Sequence, residues 1–370
     1  MDVINYKNSI LNLSNSILKY FDINPYHDTL KEVDKILEKN NYENIIVLLC
    51  DGLGAANLEY ALSKNTFLRQ HQIKNITSVF PPTTTAATTS FLTGLYPSEH
   101  NWYGWDMYFK DKNETISLYL NKVKETKKNP KLDVSKRDYM EYKTIIDLIK
   151  EKNEKAYILS PFDQDNTCCN LDEVCDKILK LTKESGKKFI YGYIENPDKL
   201  IHKYGIYSKI VVDKIREINN KIEELSTKLQ NTIIFVIADH GLISTKYINL
   251  KKDIPEIYNM LKRTTSLESR ASGIKLKRNN LKEEFERLYN LNLKQDFHLL
   301  TKEEVIKVKL FGNDSNQYLE DNIGDYLLIA KSNKSINYDD SSPIFKANHA
   351  GLTRGEIIVP LIVIEKNKFN

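Results

Sequence analysis

The chain has 370 residues, 41% of them hydrophobic and 28% charged, with a formal net charge of +4. That length fits one large α/β domain or a core carrying an insertion, and the composition argues against a disordered or fibrous chain. With 54 basic and 50 acidic residues the charges almost balance, which argues against a polyanion-binding surface; no specific nucleic-acid partner is expected.

The first 24 residues lack a basic region followed by a continuous apolar stretch, so they do not read as a signal peptide. Ile10, Leu13, Ile17 and Leu18 fall on one face of an amphipathic helix. No run of about 18 apolar residues occurs, so no membrane span is expected, and the cytoplasm is the expected location. Four short apolar runs then read as strands: Asn44–Cys50, Ala156–Ser160, Lys188–Ile194 and Thr232–Ala238. Their apolarity is continuous rather than alternating, as a sheet covered on both faces requires. Helical segments such as Ser208–Leu229 lie between them. The alternation predicts an α/β fold with a doubly wound, mostly parallel central sheet flanked by helices. Residues 250–343 turn rich in Lys, Asn and Glu. Strand-like pieces (Gly273–Lys277, Tyr326–Ala330) alternate there with helical ones (Asn280–Tyr289, Lys302–Lys307). They read as a smaller α+β insertion capping a core formed by 1–249 and 344–370. The chain returns in the strand Ile357–Ile364, where Pro360 predicts an edge position. Of the four cysteines, Cys50 reads as a buried strand residue, and Cys168, Cys169 and Cys175 lack a second Cys/His pair for a zinc knuckle.

In an open parallel sheet, functional groups collect beyond the carboxyl ends of the strands. Three strands run into acidic residues there: Asp51-Gly52, Asp198 after Glu195-Asn196-Pro197, and Asp239-His240-Gly241. One aspartate in such a place is usually a helix cap; three on one sheet edge, two with histidine nearby, are harder to explain that way. Asp198 and His202 are spaced to share one helix face. His349, between Ala347-Asn348 and Ala350-Gly351, sits among small residues that permit close approach. Three carboxylates and three imidazoles suit Zn²⁺, with Mn²⁺ second. Six ligands are too many for one open zinc and suit two ions. The stretch Phe80-Pro81-Pro82-Thr83-Thr84-Thr85 opens a helix that ends at Thr93-Gly94, and it brings hydroxyls to a helix N-terminus, where anions are favoured.

Asp51-Gly52, the Thr84 segment leading into Thr-Gly-Leu-Tyr-Pro, Asp198-x-x-x-His202, Asp239-His240-Gly241 and Asn348-His349-Ala350-Gly351 occur in that order. As a set they resemble the alkaline phosphatase superfamily, and most closely its type I phosphodiesterase/nucleotide pyrophosphatase branch. The resemblance implies that Asp198, His202 and His349 hold one zinc, and that Asp51, Asp239, His240 and the Thr84 oxygen hold the other. Counting back from Thr93-Gly94, as in that branch, selects Thr84 over Thr83 and Thr85 as nucleophile. It implies a two-metal hydrolase of phosphodiester or nucleotide pyrophosphate bonds that passes through a phospho-threonine. Its partner would be a small-molecule phosphate ester, with nucleotides among the candidates. Two departures stand against that branch: Ala87, three residues after Thr84, where an Asn usually helps bind a non-bridging phosphate oxygen, and Ala350, where glycine is common.

A phosphomonoesterase or phosphonate hydrolase of the same superfamily is the alternative. A dianionic monoester wants further positive charge, and Arg137 is the only arginine between Thr84 and Asp198. Arg270, in Glu268-Ser269-Arg270, is a candidate substrate clamp or a surface ion pair. Trp105, with Trp102, is a candidate wall for a base or lipid headgroup, or a packing residue. A non-hydrolytic binding protein would not need all six ligands. A mutase of the superfamily typically carries a different nucleophile context and differently placed insertions. A sulfatase would need a Cys/Ser-x-Pro-x-Arg motif that this segment lacks.

Overall fold

The computed structural model describes residues 4–133, 142–313 and 315–367. The fold is α/β. A six-stranded sheet runs, from one edge, Gln72–Thr77, Ile358–Lys366, Thr232–Ile237, Asn44–Cys50, Lys188–Ile194 and Lys155–Leu159. The last four of these are mutually parallel. Every residue of Asn44–Cys50 and Thr232–Ile237 is buried, because helices cover both faces. Lys209–Thr227 packs on Ala55–Ala61 and Leu171–Leu181, and Ile10–Tyr20 packs on the helix Thr84–Thr93.

Three features depart from the sequence expectation. Ile10–Tyr20 does not float on one apolar face: Asn12, Ser14, Asn15 and Ser16 are buried as well. Their polar atoms are satisfied locally, Ser14 Oγ donating to the Phe91 carbonyl and Asn15 Nδ2 to the Leu11 and Gly94 carbonyls, so burial leaves no orphaned group. The strand with Pro360 is not an edge strand; it lies antiparallel between Gln72–Thr77 and Thr232–Ile237. Proline is tolerated because its position pairs on one side only, with Asn75, while pairing with Thr232–Ile237 begins at Ile362 after a register shift. The true edge, Gln72–Thr77, alternates exposed and partly buried residues over its first half and was not apparent as a strand.

A second, seven-stranded sheet contains Phe297–Thr301, Tyr326–Ala330, Ala271–Ile274, Ser266–Leu267, Asp106–Phe109, Glu114–Ser117 and Lys122–Val123 in that spatial order. It draws strands from both sides of residue 250, so a segment just after the Thr84 helix becomes part of the wall facing the core. Among the described residues no helix is long and apolar enough to cross a membrane.

Candidate metal centre and nucleophile

The carboxyl ends of the parallel strands deliver the acidic residues. Asp51 follows Asn44–Cys50, Asp239 and His240 follow Thr232–Ile237, and Asp198 opens the helix Asp198–Tyr204 that carries His202 one turn later. Gly52 lets two of these loops meet. Its φ is +73°, and a Cβ there would stand 2.8 Å from that of Asp198. His349 follows the short strand Ala347–Asn348, which pairs with Ile243–Ser244 beside His240. Thr84 begins the helix Thr84–Thr93, whose end is set by Gly94 at φ +72°.

These residues form two triads. Ligand atoms of Asp198, His202 and His349 lie within 4.8 Å of one another, as do those of Asp51, Asp239 and His240. The rings of His240 and His349 stack at 3.8 Å, which joins the triads. Thr84 Oγ1 lies 3.3 Å from Asp51 Oδ2 and 3.2 Å from His240 Nε2.

The hydrogen-bond pattern tests whether the triads fit a cation. In each histidine Nδ1 faces a backbone carbonyl: His202 that of Ala347 at 2.8 Å, His349 that of Pro82 at 3.1 Å, and His240 that of Gly241 at 3.3 Å. A carbonyl only accepts, so Nδ1 carries the proton and Nε2 presents a lone pair. Those lone pairs face carboxylate oxygens, with His202 Nε2 3.3 Å from Asp198 Oδ1 and His240 Nε2 3.4 Å from Asp239 Oδ2. Both oxygens are buried without a hydrogen-bond partner. Lone pair against lone pair at these distances is repulsive unless a cation or a carboxyl proton lies among them. The crowding of like charges also raises the proton affinity of the carboxylates. Burial, then the neighbouring Asp239 and Asp198 charges, push the Asp51 carboxyl well up, and burial and Asp239 do the same to Asp198. Burial pushes His202 down to about 4 and His349 well down, so the imidazoles are neutral and available as ligands.

Around this centre the remaining expected residues separate. Trp105 lines a cleft of about 330 Å³ together with Thr84, Asp198, His202 and His349. Arg270 does not face the cleft and is not a substrate clamp. It is fully buried, and its guanidinium is spent on the protein: Nε and Nη2 donate to Glu356 at 2.6 and 2.8 Å, Nη1 to the Lys334 carbonyl and Nη2 to that of Ser332. Glu356 in turn accepts from the Gly351 N–H, so this pair braces the loop carrying His349. Arg137 lies outside the described residues. The cysteines are unpaired, Cys50 being buried.

Two residues of the site escaped sequence reading. Tyr193 donates its hydroxyl to Asp51 Oδ2; a tyrosine near the carboxyl end of an otherwise apolar strand was the available signal. Glu268 accepts from the Thr83 hydroxyl and the Trp105 N–H, both at 2.7 Å, and lines the cleft. Burial pushes its carboxyl up to about 7, against the lowering effect of those two donors. In the sequence its only signal is a carboxylate two residues before Arg270.

Comparison with known proteins fits this geometry. The chain superposes on murine ectonucleotide pyrophosphatase/phosphodiesterase 5 with a TM-score of 0.67 and 17% identity, covering 87% of this chain and 88% of that one. An inactive form of the murine protein in complex with AMP gives 0.66 and 16%, with 87% of each chain covered. The human protein gives 0.63 and 16%, again with 87% of each. At these identities the likeness is one of fold. Among curated protein sequences none matches. The profile of the type I phosphodiesterase/nucleotide pyrophosphatase family matches residues 45–355, a span holding every residue of both triads and Thr84, and the chain therefore belongs to that family of hydrolases.

Proposed function

We propose that the protein is a two-metal phosphodiesterase or nucleotide pyrophosphatase that works through a phospho-threonine on Thr84. The observation that carries this reading is the six-ligand arrangement, with bare histidine nitrogens facing orphaned carboxylate oxygens, beside a buried hydroxyl. Asp198, His202 and His349 would hold one divalent ion, and Asp51, Asp239 and His240 with Thr84 Oγ1 the other; Zn²⁺ suits the donor set best and Mn²⁺ next. Bound there, the ions would supply Lewis-acid charge to phosphoryl oxygens and lower the proton affinity of a nearby hydroxyl or water. Two dications against three carboxylates and a Thr84 alkoxide leave a centre of zero net charge.

The chain's own residues do the rest. Thr84 Oγ1 attacks phosphorus, one ester oxygen departs with its organic arm, and the P–Oγ1 bond is then hydrolysed by water. Asp51 orients the hydroxyl, and Tyr193 holds Asp51. In this reading residues 250–343 cap a core of 1–249 and 344–370, joined to it by the sheet they share with the strands of 106–123 and by the Arg270–Glu356 pair. The AMP held by the murine relative supports a nucleotide as one arm of the substrate.

A panel of bis-p-nitrophenyl phosphate, p-nitrophenyl phosphate and p-nitrophenyl nucleotide esters, assayed with Zn²⁺ and Mn²⁺, tests the reading. Diesters should be turned over faster than the monoester; the opposite order overturns the substrate class. Thr84→Ala should lower turnover by at least about 10³-fold while elemental analysis still finds about two ions per chain. Unchanged turnover would sink the nucleophile assignment, and fewer than one ion in the loaded wild type would refute the two-metal centre.

A further inference from the structure

Glu268-Ser269-Arg270 forms the tip of the hairpin that joins the strands Ser266–Leu267 and Ala271–Ile274 of the second sheet. Its three side chains reach three different parts of the centre. Glu268 Oε1 accepts from the Thr83 hydroxyl and the Trp105 N–H, both at 2.7 Å, and Thr83 immediately precedes the helix Thr84–Thr93. Ser269 Oγ accepts from Asn348 Nδ2 at 2.7 Å, a donor shared with the Tyr247 hydroxyl at 3.2 Å. Asn348 Oδ1 in turn accepts from the His349 N–H at 2.9 Å. Arg270 holds Glu356, whose side chain takes the Gly351 N–H at 2.7 Å and whose backbone carbonyl takes the Gly241 N–H, next to His240, at 2.8 Å.

The tip is also anchored from its own side. The Glu268 N–H donates to the Ala271 carbonyl at 3.0 Å, and the Ser269 and Arg270 carbonyls accept from the Ile336 and Ala330 N–H groups at 2.7 and 2.8 Å. Leu267, just before the tip, is fully buried at φ +69°. A non-glycine residue keeps that conformation only where its surroundings over-determine it. Gly104 lets the core approach it: a Cβ at Gly104 would stand 2.9 Å from Leu267 Cα. The tip of a hairpin ordinarily faces water. Here Arg270 is wholly buried, Glu268 and Ser269 are half-buried, and all three bond to residues placed to steer the nucleophile or a histidine ligand.

We propose that Glu268, Ser269 and Arg270 are positioning residues with three separable roles, through which the second sheet sets the geometry of the centre. Glu268 aims the Thr84 hydroxyl through Thr83. Ser269 aims His349 at Asp198 and His202 through Asn348. Arg270, through Glu356, fixes the spacing between the His349 and His240 loops, whose rings stack at 3.8 Å. The proposal rests on the two-metal reading above and assigns it a supporting shell. Partners of this kind hold ligands in their productive orientation without touching the ion.

The test reads Zn²⁺ affinities of the full chain by competition with a chromophoric chelator, alongside turnover of bis-p-nitrophenyl phosphate. Ser269→Ala should weaken one of the two ions by about tenfold and leave the other within about twofold. In a His202→Ala background, where the Asp198 triad is already broken, it should move the remaining ion by less than about twofold. Arg270→Lys keeps the charge but loses the fork, and should weaken both ions by about tenfold. Glu268→Ala should leave both affinities within about threefold and lower kcat by about tenfold with KM almost unchanged. Glu268→Gln, whose amide oxygen can accept the same two hydrogen bonds, should restore kcat to within about threefold of wild type. A Ser269→Ala chain that weakens both ions or neither overturns the proposal, as does a Glu268→Gln enzyme no better than Glu268→Ala or an Arg270→Lys effect confined to one ion. Should Arg270→Lys not fold, the Ser269 and Glu268 variants decide alone. Wild type that binds two ions but turns over no diester refutes the proposed function, while the zinc affinities of the Ser269 and Arg270 variants still decide this proposal.

Discussion

The two triads are built from the same kinds of side chain but held in different ways. Asp51, Asp239 and His240 lie at the ends of adjacent central strands and are buried. Asp239 Oδ1 accepts from the Gly52 and His240 N–H groups, and Asp51 accepts from Tyr193. This triad is part of the core, preorganised by backbone it shares with the sheet. Asp198 and His202 sit on a seven-residue helix with partly exposed side chains and line the open cleft, and His349 reaches them from a separate loop. The difference teaches that Thr84, the proposed nucleophile, is paired with the rigid triad, while the other triad lines the open cleft with partly exposed side chains.

The sharpest break is at Asp239. Asp239→Asn should lower turnover by about 10³-fold or more by removing a ligand beside Thr84. It should also stabilise the metal-free protein, because Asp51 and Asp198 are both destabilised as anions by the Asp239 charge. Thermal melts with and without Zn²⁺ check this. A metal-free melting temperature that falls would show that Asp239 is held by its backbone donors rather than strained by its neighbours. The complementary change, His202→Ala, should cost about 10²-fold in activity and leave one ion per chain, retained in the buried triad. Loss of both ions together would erase the distinction between the triads.

That distinction was only half legible in the sequence. The strand ends were readable because a strand buried on both faces must be continuously apolar, so the first polar residue after it marks the sheet edge, as Asp51 and Asp239 do. The helical spacing of Asp198 and His202 was equally plain. What sequence does not carry is who comes back across the fold. Arg270 reads as a free cation until its distant partner Glu356 is placed beside it. The strands of 106–123 look like a continuation of the core until residues 266–330 add to their sheet. Pro360 signals one missing hydrogen-bonding neighbour, which a true edge and a late-starting central pairing supply equally well.

Glu268 offers a smaller test, because it ties the second sheet to Thr83, next to the nucleophile. Its carboxyl titrates near 4.5 when unfolded and is pushed up to about 7 in the fold by burial. Between those values the folded state binds more protons than the unfolded one. The Glu268 contribution to stability is therefore greatest below about pH 4.5 and declines as pH rises through 7. Since the side chain keeps some contact with the cleft, the expected effect is on the order of 1 kcal/mol. Denaturant melts of metal-free protein across that window should show the decline in wild type and a flatter profile in Glu268→Gln. Parallel profiles would mean that Thr83 and Trp105 fully compensate the buried charge.

The smallest effect is expected where the accessible triad rests on strained backbone. Ala350, next to His349, is buried with φ +85°, a region that costs a non-glycine residue roughly 1–2 kcal/mol. Ala350→Gly removes that strain, but it also loses a buried methyl worth about 0.8 kcal/mol and adds roughly 0.5–1 kcal/mol of backbone entropy on folding. These terms nearly cancel, so the net change should be close to zero. Ala347, three residues earlier, is equally buried but lies in a strand and not at positive φ. Ala347→Gly loses the methyl and the entropy with nothing regained, and should cost about 1–2 kcal/mol. The comparison between the two variants is more telling than either value, since both remove one buried methyl beside His349. Equal losses at the two positions would mean that Ala350 is accommodated without strain, and that the His349 side of the centre is as relaxed as the Asp51 side.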